Sequence, residues 1–65
     1  MKIYTVKYDN QIIGFYSSLK TACEYASKHA KETYMEDIDF QNPQSLTEHW
    51  DIITQYHITQ IDVKD

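Results

Sequence analysis

A single cysteine, Cys23, stands in the 65 residues, so no internal disulfide can staple this chain as small secreted scaffolds are stapled. Gly14 is the only glycine. A phosphate-cradling loop needs several glycines in one turn, which excludes nucleotide-binding fingerprints of the Walker and dinucleotide kinds. The scarcity of glycine, with one proline and 42% apolar residues, also excludes a disordered tail or linker. No apolar run approaches the ~20 residues of a membrane span. Met1-Lys2 leads straight into a strand-like pattern with no signal peptide before it, and the expectation is a cytoplasmic protein without a membrane partner. Arginine is absent: all six basic residues are lysines.

What the chain has is room for one domain spanning 1–65. At this size a fold buries only ~60% of the surface its unfolded chain exposes, which argues against a second core or a large enclosed active site. The net charge of −4 is unevenly spread. Residues 1–31 hold five lysines against Asp9 and Glu24, a balance of +3. Residues 32–65 hold eight acids against Lys64 alone, a balance of −7. An acidic half argues against a nucleic-acid partner, because affinity for a polyanion comes mostly from lysines and arginines that neutralise phosphates.

The first sixteen residues read as a β-hairpin. Lys2–Tyr8 and Gln11–Tyr16 are dense in β-branched and aromatic residues, and Asp9-Asn10 between them tolerates the positive φ angles of a two-residue turn. That register places Tyr4, Val6, Ile13 and Phe15 on a core face, and Ile3, Ile12 and Tyr16 on the other. Gly14 in mid-strand suggests a bulge or a large neighbour close to the backbone. Ser17-Ser18 then opens a helix to about residue 32, its buried stripe formed by Leu19, Ala22, Cys23, Ala26 and Ala30. Residues 33–45 carry little signal. Ser45 and Glu48 have capping-box spacing for a short second helix with Leu46, Trp50 and Ile53 along one side. The segment 56–63 is strand-like, and its apolar residues change phase between Ile58 and Ile61, which suggests a bulge near Gln60. The sum is an α+β domain in ββααβ order: a three-stranded antiparallel sheet with one main helix across one face.

Chemistry-bearing constellations are sparse. Cys23 lies within the apolar stripe, where a thiol is a small buried hydrophobe. Glu48-His49-Trp50-Asp51, with His57, is the nearest approach to a metal set, but His49 points away from the two carboxylates on a helix. The expectation is therefore no catalytic residue, no metal and no cofactor. Six tyrosines are an excess for this length. With Lys2, Lys7 and Lys20 the hairpin tyrosines Tyr4, Tyr8 and Tyr16 offer a stacking platform for single-stranded nucleic acid. The plainer role of tyrosine is to fill strands and the rim of a small core.

Glu36, Asp37, Asp39, Glu48 and Asp51, with Trp50 as an aromatic anchor, form the candidate protein-binding set. Carboxylates spaced along an ordered surface imitate a phosphate backbone and steer association with a basic partner. In size, lysine-only basicity, Ile and Tyr richness and strand–strand–helix–strand layout, the chain resembles the small accessory proteins that bacteriophages and mobile elements encode against host machinery. This is a resemblance of kind over the whole chain, and it implies a binder rather than a catalyst. The function expected is a small acidic protein-binding module that inhibits or modulates a nucleic-acid-handling partner. Two alternatives stand beside it: a single-stranded nucleic-acid binder built on the tyrosine and lysine hairpin, and a self-assembling subunit or homodimer joined through an uncovered sheet face.

Overall fold

A computed structural model describes residues 1–64. Strands β1 (Lys2–Tyr8) and β2 (Gln11–Tyr16) form the hairpin, followed by the main helix α1 (Leu19–Tyr34). Two short helices, α2 (Pro43–Glu48) and α3 (Trp50–Ile53), precede the last strand, β3 (Tyr56–Asp62). The sheet is antiparallel in the order β2-β1-β3, with α1 on one face, so the α+β expectation holds.

The turn forms at Asp9 and Asn10, whose φ angles of 52° and 64° are the left-handed pair a two-residue hairpin needs. The register beyond it differs from simple alternation. Tyr8 pairs with Gln11 and Lys7 with Ile12, but Val6 pairs with Gly14, leaving Ile13 as the extra residue of a bulge. The bulge moves the outer half of β2 by one residue. Tyr16 therefore joins Tyr4 and Val6 on the helix side and Phe15 turns outward, the reverse of the expected placement, while Ile13 still packs on the core. Gly14 did mark this irregularity. No second one occurs in β3: pairing with β1 runs unbroken from Lys2–Asp62 to Tyr8–Tyr56. The apparent phase change near Gln60 comes from which face carries the apolar residues. Tyr56 and Ile58 face the helix, whereas Ile61 is paired with Ile3 on the opposite face.

Helix α1 starts at the Ser18 cap, whose hydroxyl accepts the Thr21 N–H at 3.1 Å. It ends at Tyr34, two residues past the expected end, and the following Met35 adopts the left-handed conformation and donates its N–H to the Lys31 carbonyl. Ala22, Ala26 and Ala30 are wholly buried and bring the helix close to the sheet, while Leu19, placed at the first turn, is exposed. The core is small: Val6, the three alanines, Ile38 and Tyr56, ringed by half-buried tyrosines and isoleucines. Helix α2 begins earlier than the capping-box spacing suggested. Asn42 is its cap, accepting the Gln44 N–H at 3.0 Å, and Pro43 occupies the first turn, where its missing N–H costs nothing. His49 leaves helical geometry and separates α2 from α3. Among the described residues no helix is long and apolar enough to cross a membrane.

Candidate functional site

The acidic segment is held from both ends and from its middle. Where α1 stops, Lys31 Nζ reaches forward to Asp37 Oδ1 at 2.7 Å. Ile38 turns inward and is buried in the core. The Asp39 N–H donates to Ser45 Oγ at 2.9 Å, and Asp39 Oδ1 accepts the Gln41 N–H at 3.0 Å. Ser45 is thus a tether for the acidic segment rather than a helix cap. Because Ile38 is the inward residue, Asp37 and Asp39 on either side of it remain exposed, as does Glu36. The exposed Lys31–Asp37 pair contributes at most ~1 kcal/mol. Asp37 and Asp39 line an open concavity of about 340 Å³ with Ser27, Ile38, Asn42 and Ser45.

Glu48 closes α2, and Trp50 and Asp51 open α3. The Trp50 ring is 62% exposed, so it anchors no part of the core. Glu48, Trp50 and Asp51 line a second concavity of about 410 Å³, whose walls come entirely from residues 47–52. A hollow walled by one continuous turn of chain is a surface groove, not a chamber that could exclude water from a reaction. No residue lines both concavities: Asp37 and Asp39 line the first, Glu48, Trp50 and Asp51 line the second at the junction of α2 and α3, and Glu36 lines neither but is exposed just past the end of α1. Among the described residues the ion pairs are Lys20–Glu24 and Lys31–Asp37, and neither involves Glu36, Asp39, Glu48 or Asp51.

The most ordered polar feature is one that sequence reading did not assemble. Tyr8 on β1 lies directly across from Tyr56 on β3, and both rings stack near His29 of α1. The Tyr56 hydroxyl and His29 Nδ1 share a hydrogen bond of 2.6 Å, and the hydroxyls of Tyr8 and Tyr34 share one of 2.5 Å. Phe40 closes the group edge-on against Tyr56 at 5.2 Å. Burial pushes the Tyr56 hydroxyl well above the ordinary tyrosine range, and neighbouring tyrosines add to the shift. Tyr8 is raised chiefly by its bond to Tyr34, then by burial. Both shifts favour the neutral hydroxyl, and the two hydrogen bonds join the sheet to the helix. The signal available in sequence was the position of His29 beside the alanine stripe, but only the β1–β3 register shows that it meets Tyr8 and Tyr56.

Cys23 is 5% exposed, and its thiol is raised first by burial and then by the charge of Asp39. Among the described residues no three His, Cys, Asp or Glu side chains gather in a way that would hold a metal ion. The six tyrosines are all buried or half-buried, with Tyr16 stacked on Tyr25 at 5.2 Å. No family model matches this chain, and no curated protein and no solved structure matches it.

Proposed function

We propose that this chain is a cytoplasmic, non-enzymatic protein-binding module that contacts a basic partner through Glu36, Asp37, Asp39, Glu48, Trp50 and Asp51. The observation that carries this reading is Trp50: a large ring, 62% exposed, set between Glu48 and Asp51 on ordered helix ends. A tryptophan left in water costs hydration free energy that a partner pocket recovers, and aromatic anchors dominate interface energetics. The unpaired carboxylates around it are free to steer a cationic surface by long-range attraction. In its sharpest form the partner handles nucleic acid, and the carboxylates stand where phosphates would.

The single-stranded nucleic-acid reading draws less support from the fold. Tyr4, Tyr8 and Tyr16 all lie half-buried on the helix side of the sheet, packed against the core, which takes up ring surface a base would stack on.

The test is affinity capture from a cell lysate on the immobilised protein, at low and high salt, with the captured protein identified by mass spectrometry. Trp50→Ala and the pair Glu48→Lys with Asp51→Lys should each lose the captured protein, and added nucleic acid should compete for it. Capture that is indifferent to both variants would overturn the proposed surface. Micromolar retention of single-stranded oligonucleotides by the unmodified protein in filter binding would overturn the ranking of the two functions.

A further inference from the structure

The sheet has two faces and α1 covers one. On the other, Phe15 is 63% exposed, Ile12 50% and Ile61 43%, with Ile3 and Val63 beside Ile61. Thr5 and Thr59 pair at its centre, where Thr5 is already buried at 2% exposure by its neighbours, so the apolar surface lies to either side of it. Its charged rim is Lys7, next to His57 at the turn end, and none of the three strands places a carboxylate on it, in a chain of net charge −4. Asp62, the one acid within a strand, falls on the helix side by alternation.

We propose that this face docks against the same face of a second copy of the chain, making a two-fold dimer in which two sheets stack with α1 on each outer side. Charge selects the occupant. Two copies repel each other through their acidic surfaces, and on this side the strands they bring together carry no carboxylate. A two-fold axis running across the strands also places the two Lys7 side chains at opposite ends of the seam. A basic partner finds nothing here to pair with, and a single-stranded nucleic acid finds one lysine and one aromatic ring, too few to hold a phosphate backbone and stack successive bases. A second copy supplies the missing layer to a domain whose own core is small.

Size sets the strength. Seven-residue strands span ~23 Å and three of them ~14 Å. Pairing two such faces buries roughly 600–1,000 Å² in all, below the ~1,200 Å² of stable specific interfaces. The dimer is accordingly concentration-dependent, and its apolar contact is strengthened by salt that screens the mutual repulsion of the copies. The acidic patches and Trp50 play no part in it.

Sedimentation equilibrium of the whole chain, from about 10 μM to about 1 mM at low and high salt, tests this. The mass should climb from the 7.8 kDa monomer toward twice that value, and at lower concentration in high salt. Phe15→Lys and Ile61→Lys should each hold the protein at monomer mass while circular dichroism shows an unchanged fold, since both residues stand out from the sheet. Glu36→Lys should self-associate at least as readily as the unmodified chain. A monomer throughout the range, association that dissolves in high salt, or association that survives both lysine variants would each overturn the proposal. So would a monomer that retains a single-stranded oligonucleotide and loses it on Phe15→Ala, because the face would then belong to nucleic acid.

Discussion

The ring of Tyr16 lies across Gly14, two residues earlier on the same strand face, so closely that a β-carbon at position 14 would stand 2.5 Å from the tyrosine hydroxyl oxygen and 2.6 Å from its Cε2. Glycine is present because the ring needs that space. Gly14→Ala should push Tyr16 off Tyr25 and destabilise the fold by ~1–3 kcal/mol in urea titration. In a Tyr16→Ala background the same change should cost nothing or help, because strand glycines are entropically weak. Equal losses in both backgrounds would show that the ring is not what position 14 accommodates.

Cys23 sits between the alanines of α1 with its thiol buried and raised by that burial. Cys23→Ser should destabilise by ~1–3 kcal/mol, because the smaller, more polar hydroxyl would enter an apolar layer without a built partner. A thiol reagent should label the native protein only as fast as it opens, and rapid labelling at neutral pH would remove Cys23 from the core.

Alkaline pH should loosen the molecule through its tyrosines. The folded state holds the Tyr56 proton more tightly than the unfolded chain does, since burial raises its hydroxyl above the ordinary value of 10.0. That contribution is complete below pH 10 and is lost as pH climbs toward the folded value, at up to ~1.4 kcal/mol per pH unit. Tyr8 and Tyr16 are raised in the same direction. Thermal melts between pH 8 and 11, read beside tyrosinate absorbance, should show melting temperature falling steeply above about pH 10. Tyr56→Phe should flatten that fall, and an unchanged profile in the variant would show that Tyr56 is not its source.

How much of this was legible in the sequence depended on whether the signal was local. The Asp9-Asn10 turn, the serine cap (taken by Ser18 of the two serines) and the alanine stripe each rest on neighbours within four residues, and they formed as read except that Leu19 is left exposed. The phase of β2 did not, because the bulge at Ile13 is decided by which of Phe15 and Tyr16 packs better under α1, a tertiary choice that only Gly14 hinted at. Ser45 had a cap's spacing but was taken by the Asp39 N–H across a loop, while Asn42 beside Pro43 made the cap. Among the candidate site residues, exposure of the acids was predictable from charge. Their distribution over two separate concavities was not, since it depends on how the loop after α1 and the α2–α3 junction fold, which no short-range pattern specifies.

Ile38 and Trp50 make the sharpest contrast in the acidic half, and the pair separates fold from surface. Ile38, in a segment with no regular structure, is 4% exposed and packs with Val6, Ala30 and Tyr56. Trp50, the largest apolar side chain in the protein, is in solvent. A domain of this size has a stability of ~3–10 kcal/mol, so losing one core residue is severe. Ile38→Val should cost ~0.5–1.5 kcal/mol and Ile38→Ala ~2–5 kcal/mol, releasing the segment that carries Glu36, Asp37 and Asp39. Trp50→Ala should change stability by no more than ~0.5 kcal/mol. Urea midpoints for the three variants check this directly. A large loss for Trp50→Ala would mean that its ring covers the core, and the binding role assigned to it would then have to be given up.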